Sequence, residues 1–359
     1  MEYFVLLIIP LCLGIFYSTP RYRALYRVLI VCYFITLVAF TGLRWMTGSD
    51  WDPYLEYFTK EDNYRFFEIG YVLLTTVVKA FSNSYTVFLL IDAAVALLPL
   101  WYLLKKDNDC HPISLAVFFS YYFTLNYLGS NRRIISIGIC FLALVYLQRK
   151  KLLPFLALCA LSFCFHRSSI IFLLAWPIYQ ARPSLKKYLL LIGAAILIQV
   201  VNPLALLPSL FDAATSKIVL ISRILDYTEN DSLNPNINYG LQNALSIAKR
   251  CVFLIIIYWG WSRQSDAIKK KYAGYVNLYV FSFVLYLMFT GTVEIFKATT
   301  VYFSIVELLL LPIAIDSFKR YKPVVYMLLS VMLIAQQYSA LNSYWDLYVP
   351  YKSVLEAER

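Results

Sequence analysis

The sequence predicts an all-α polytopic membrane protein, and three observations carry that prediction. Hydrophobic residues make up 61% of the 359 and charged residues only 15%, against about 45–50% and 25% in ordinary soluble domains. Apolar runs of near-spanning length recur along the whole chain, and the mean hydropathy is +0.65. The basic residues gather in short clusters between those runs.

About twelve transmembrane helices are expected, some short or broken. They fall near residues 3–18, 25–43, 84–104, 112–128, 134–148, 152–165, 169–181, 188–207, 241–260, 272–290, 299–317 and 323–341. The first run follows Met1-Glu2-Tyr3-Phe4, with no basic n-region and no small-residue cleavage site after it, so it reads as a retained span. Residues 68–81 are apolar but short, and a full crossing there would reverse the side of Lys105-Lys106. They read instead as a re-entrant or interfacial helix. The runs 152–165 and 169–181 are short for a bilayer and read as half-helices meeting at His166-Arg167. The whole chain, 1–359, reads as one integral membrane domain with two longer extracytoplasmic loops, about 44–83 and 208–239.

The net charge of +11 is topological. Clusters at Arg21/Arg23/Arg27, Lys105/Lys106, Arg149–Lys151, Arg182/Lys186/Lys187, Arg263/Lys269–Lys271 and Lys319/Arg320/Lys322 hold 18 of the 32 Lys and Arg, with four of the 21 acids nearby. The remainder of the chain carries 14 basic against 17 acidic residues. This is the positive-inside pattern, with the clusters in the cytoplasm and both termini outside. Nucleic acid is not an expected partner. Seven cysteines without paired spacing, six of them inside apolar runs, read as small buried hydrophobes.

The stretch Asn131–Ser169 organises the candidate chemistry. Asn131 and Ser168 stand before apolar segments as candidate N-caps, and Arg132, Arg133 and Arg167 lie beside them. On the outer side, where the charge rule disfavours arginine, two arginines at a helix start suit a doubly charged ligand such as a diphosphate. Interfacial snorkelling is the alternative. His166 reads equally as a neutral general base or as a structural hydrogen-bonder. In the first outer loop, Asp52 before Pro53 is a helix-start signature, which leaves Asp50 as a functional acid. An Asp50/Asp52 metal pair is the minority reading, because no His or third acid stands close by. Trp45, Trp51, Tyr54 and Tyr57 serve as interfacial aromatics or as platforms for sugar faces. Asp92, Lys249-Arg250 and Glu307 lie at membrane depth, facing a cavity or one another. Glu294 and Lys297 add an acid and a base before a later span. No Walker loop, dinucleotide glycine pattern, zinc-protease or serine-hydrolase motif occurs, so no cofactor is expected.

Arg44 with Gly48-Ser49-Asp50-Trp51 and Tyr54, then Glu68-x-Gly70-Tyr71, the outer Arg132, and Phe165-His166-x-Ser168 together resemble the EpsG-like branch of Wzy-type polysaccharide polymerases. The resemblance covers 37–171 best and continues more faintly through 294–303 and Pro350-Tyr351-Lys352. Two positions depart from it: Arg133 stands where the family tends to have Gln, and Lys297 where it tends to have Arg. The resemblance implies a transferase at the outer face of the bacterial inner membrane. Its expected substrate is an undecaprenyl-diphosphate-linked oligosaccharide for O-antigen, capsule or exopolysaccharide, in the company of membrane lipids, a flippase and a chain-length regulator. Such chemistry needs positive charge on a departing diphosphate, from Arg132, Arg133, Arg167 and also Arg44 or Arg250. It needs one base, His166 or Asp50. Trp51, Tyr54, Glu68 and Glu294 complete the expected substrate contacts. This reading is metal-independent. Two rivals are a GT-C-like transferase using a polyprenyl-phosphate sugar with a metal on Asp50/Asp52, and a flippase or transporter relaying through Asp92 and Glu307. Loss of activity in EDTA separates the first rival, and loss of function on altering the 44–54 loop alone counts against the second.

Overall fold

The computed structural model describes residues 1–60, 67–201, 239–290 and 294–357. These are helical throughout, and the one β-type pairing among them is an isolated antiparallel bridge between Arg44 and Ser353. The chain divides into two compact units, Met1–Leu173 with Glu307–Arg359, and Leu174–Val306. The outer segment expected at 208–239 lies almost entirely outside the described residues.

In the first unit, helices α1 (Glu2–Ser18), α2 (Arg23–Gly42), α3 (Trp51–Lys60), α4 (Ile69–Lys79) and α5 (Tyr85–Asn108) lead into α6 (Pro112–Val117). Helix α6 continues as a π-helical stretch, Phe118–Tyr127, followed by α7 (Asn131–Gln148) and α8 (Leu152–Phe165). A 3₁₀ turn, Arg167–Leu174, ends the segment. In the second unit run α9 (Ala175–Gln180), α10 (Leu185–Val201), α11 (Tyr239–Ser262), α12 (Asp266–Phe289), α13 (Glu294–Thr299) and α14 (Val301–Ser304). Helices α15 (Glu307–Asp316), α16 (Lys322–Ser343), α17 (Trp345–Tyr348) and α18 (Val354–Ala357) return to the first unit.

Among the described residues six helices are long and apolar enough to cross a membrane, and seven if the pair 297–304 and 307–316 forms one broken span. The remaining apolar helices, including α1, α4 and α8, fall short of spanning length. Helix α4 is the short element expected at 68–81.

The centre of the first unit is α6, its π-helical continuation and α7, nearly all buried. Stacked rings of Phe119, Phe123 and Tyr127 run along the π-helical stretch. Its polar side chains are satisfied by α16: Ser120 Oγ donates to the Leu333 carbonyl at 2.8 Å, and Gln337 Nε2 donates to Thr124 Oγ1 at 3.0 Å. With no water in a bilayer interior, pairing of this kind is what allows serine and threonine there. Helices α7 and α8 form the antiparallel pair expected across the basic turn 149–151, tied by Ser136 Oγ and Ser162 Oγ at 2.7 Å.

The two ends of this unit differ. One collects Ser18, Arg23, Asn108 and Cys110, joined by Tyr26 Oη to the Cys110 carbonyl and by Arg23 to Asp109. The opposite end is tied by the C-terminal segment. Trp45 N–H donates to the Lys352 carbonyl at 2.8 Å, and Val354 N–H to that of Leu43 at 2.9 Å. Tyr351 stacks on Phe40 with centroids 4.0 Å apart and donates to the Phe40 carbonyl. Gly48 is held by its N–H on the Leu347 carbonyl, at φ +114°. A Cβ there would stand 2.0 Å from the Leu128 carbonyl oxygen, so only glycine fits. Gly48→Ala is therefore expected to lower the thermal midpoint strongly, at a cost of about 2 kcal/mol or more. Gly193→Ala, where an added Cβ meets nothing within 4 Å, is expected to be neutral or to stabilise by up to about 1 kcal/mol. Melting curves of the two purified variants check the contrast.

Candidate functional site

The site is built where α4, α7 and the α8 C-terminus meet. Glu68 occupies the N-cap position of α4, but its carboxylate does not cap that helix. Glu68 Oε2 instead accepts from Arg132 Nη1 at 2.5 Å, and Oε1 from the Arg167 backbone N–H at 3.3 Å. The pair is mostly shielded, with side chains 22% and 11% exposed, where an ion pair is screened less than at a surface. One carboxylate thus joins the start of α7 to the segment after α8. Gly70 allows the approach: a Cβ on it would lie 2.7 Å from the Cys164 carbonyl oxygen.

Helix α7 begins one residue earlier than a capping Asn131 requires. Ser130 holds the N-cap position and Asn131 is already helical. The Asn131 amide is used sideways, its Oδ1 accepting from Arg44 Nη2 at 2.7 Å and its Nδ2 donating to Tyr71 Oη at 3.5 Å. The reason is Arg44, 3% exposed, a buried cation that needs acceptors more than the helix end needs a cap. Its Nη1 takes the Thr41 carbonyl at 2.6 Å, and its guanidinium lies over the Trp51 ring. The buried carboxylate of Asp92, 0% exposed on α5, has no hydrogen-bond partner among the described residues and feels the Arg44 charge. Ser168 is likewise not a cap. It lies within the 3₁₀ turn, and its Oγ sits 2.7 Å from His166 Nδ1. Asp52 falls inside the first turn of α3, not before it.

Tyr54 Oη lies 3.1 Å from both Ser130 Oγ and Arg132 Nε. Arg132 also lies over the Phe67 ring at 4.7 Å. Trp51 and Tyr54 are buried in an aromatic cluster with Tyr57, Tyr71 and Tyr85, because α3 turns its apolar face inward. Trp51 is only 6% exposed and Tyr54 3%. Asp50 is half-buried, accepts from Ser49 Oγ at 3.1 Å, and is near enough for its charge to act on the Tyr54 phenol.

Arg133 makes no hydrogen bond or ion pair among the described residues, and its Nε is buried. Its charge acts on His166 more strongly than that of Arg132: the His166 pKa is pushed down to about 4 by burial first, then by Arg133, with Glu68 opposing and Arg132 adding a smaller push. Arg132, Arg133, Glu68, His166 and the Arg167 backbone therefore occupy one corner. Arg44 is buried and reaches Asn131, the residue before Arg132. Arg250 and Glu294 belong to the other unit. There Arg250 lies 3.6 Å from the Tyr286 ring centroid and donates to the Ser246 carbonyl, and Lys297 Nζ donates to Asn243 Oδ1 at 3.0 Å. The supporting roles of Asn131, Tyr71 and Ser130 escape sequence reading, because their partners Arg44, Asn131 and Tyr54 lie 60 to 87 residues away.

A model of the EpsG family matches residues 27–353. No curated protein and no solved structure matches the chain.

Both histidines are held low, His166 and His111 each to about 4, well under the ordinary value near 6.5. As pH falls, the unfolded chain takes up these protons first. Their contribution to stability is therefore complete above about pH 6.5 and is lost progressively as pH drops toward 4. In histidine-labelled protein, NMR is expected to show both imidazoles neutral from pH 8 down to about 5.5, with neither titrating near 6.5.

Proposed function

The chain belongs to the EpsG family, polysaccharide-biosynthesis membrane proteins associated with glycosyltransferase-like polymerases, and on that premise we propose that it is a Wzy-type lipid-linked oligosaccharide polymerase. The growing glycan passes from undecaprenyl diphosphate to a hydroxyl on the next lipid-linked repeat unit. The site faces the outer side of the inner membrane, with the shorter helices completing about twelve crossings.

The observation that carries this reading is the single carboxylate of Glu68 holding Arg132 and the Arg167 amide together, with His166 and Arg133 at the same corner. In the transfer, the acceptor oxygen bonds to the anomeric carbon while the bond from that carbon to the diphosphate oxygen breaks. The electron pair leaves on the diphosphate, where Arg133, unpaired among the described residues, and Arg132 offset the developing charge. A diphosphate is a good leaving group, so no general acid is required. The acceptor proton goes to His166. For that, Nδ1–H donates to Ser168 Oγ and Nε2 keeps its lone pair, a tautomer that the 2.7 Å contact permits. The depressed pKa keeps the imidazole unprotonated and ready at neutral pH. Arg44 acts as a positioning residue, holding Asn131 and so the first turn of α7.

Arg132→Ala and His166→Ala are each expected to cut polymer formation about 100-fold or more while the protein stays in the membrane. Surface-polysaccharide gels should then show single repeat units on the lipid anchor. Full-length polymer from either variant would refute the assignment. Ser168→Ala, which frees the imidazole to turn, is expected to lower activity about 10-fold without that loss of expression.

A further inference from the structure

Away from this site, at the end of the first unit that carries Arg23, Cys110 and Lys319, α1 and α16 flank a cleft of about 540 Å³. Part of its lining is apolar, from Leu11, Pro323 and Met327, and part is polar, from Ser18, His111, Lys319 and Lys322. Lys322 is paired with Asp316 at 2.5 Å, whereas Lys319 has no ion-pair partner among the described residues. Segments 21–27, 105–111 and 319–322 at this end carry eight Lys or Arg against two Asp.

His111 supplies the second, independent observation. It is 4% exposed, and its Nδ1 accepts the Ile113 N–H at 3.2 Å. A neutral ring that accepts at Nδ1 carries its proton on Nε2. That Nε2–H has no acceptor among the described residues, although the side chain lines the cleft. A donor on a largely buried ring that lines the cleft and has no protein acceptor is available to an anion bound there.

We propose that this cleft binds one anionic glycerophospholipid. Its phosphate sits between Lys319, Lys322 and the His111 Nε2–H, and one acyl chain lies along Leu11, Pro323 and Met327. A soluble anion would leave the apolar lining unused, and a zwitterionic headgroup would bring a choline cation against the lysines. By the positive-inside rule this is the cytoplasmic leaflet, where anionic lipid is the counterpart of such basic clusters. The assignment goes beyond the polymerase reading and does not depend on it.

The test is native mass spectrometry of the full-length purified protein titrated with phosphatidylglycerol, with phosphatidylcholine and inorganic phosphate as separate arms. Each lysine is expected to contribute about fivefold in affinity, so Lys319→Ala/Lys322→Ala should weaken retention of one phosphatidylglycerol by about 25-fold. Met327→Trp, at a position 59% exposed, should block the acyl path without disturbing the core, and it serves if the lysine variant is unstable. Lys150→Ala/Lys151→Ala should change little. Four outcomes would overturn the proposal. They are wild-type retention by a folded double-lysine or Met327→Trp variant, equal loss from the 150/151 control, equal retention of phosphatidylcholine, and competition by millimolar phosphate, which would make it a soluble-anion site.

Discussion

The arrangement of the candidate site depends on one ion pair, Arg132 with Glu68. Three segments distant in sequence meet there: the start of α4, the start of α7, and the turn after α8. None has a strong local reason to be near the others, since α4 has only 11 residues and α8 only 14. A carboxylate that serves Arg132 with one oxygen and the Arg167 amide with the other fixes both distances at once. The partly shielded setting makes that geometry rigid, because an unpaired Arg132 or Glu68 would carry a desolvation penalty. The same two charges also act on His166, in opposite directions and behind burial and Arg133.

A second constraint is the buried Arg44. A cation taken out of water needs hydrogen-bond acceptors or an opposite charge, and Arg44 recruits Thr41, Asn131, the Trp51 face and the field of Asp92. This network explains why Asn131 is not a cap and why Trp51 and Tyr54 fold into an aromatic cluster. The C-terminal segment closes the same end, with Tyr351 stacked on Phe40 and backbone bonds to Leu43 and Trp45. Residues at both ends of the chain thus converge on one face of the bundle.

Much of this was legible in the sequence. Composition and charge clusters established the helical membrane class, and the turn 149–151 correctly paired α7 with α8. The sequence also singled out Arg132 and His166, and the fold supplies Glu68 as their common neighbour. What local pattern missed was sideways use of polar groups. Asn131 and Ser168 have the chemistry of caps, yet tertiary partners took both side chains. Trp51 and Tyr54 carry an interfacial aromatic composition that does not reveal how deeply they are buried. Glu68 is a single acid before an apolar run, and its bridging role exists only once three segments meet. Counting crossings was harder still, because apolar runs of 11 to 17 residues look alike whether they cross, re-enter or lie flat. The motif positions acquire physical reasons in the fold: Gly48 and Gly70 are close backbone approaches, and Lys352 supplies a carbonyl to Trp45.

The central claim is that the diphosphate is held at the corner of Arg132 and Arg133 with His166 beside the acceptor hydroxyl. The most direct test is a structure of the protein bound to a lipid-diphosphate oligosaccharide. The account predicts diphosphate oxygens within hydrogen-bond distance, about 3 Å, of Arg132 and Arg133, and a sugar hydroxyl at His166 Nε2. Density for the diphosphate against Arg250 and Lys297, with the Arg132 corner empty, would contradict it.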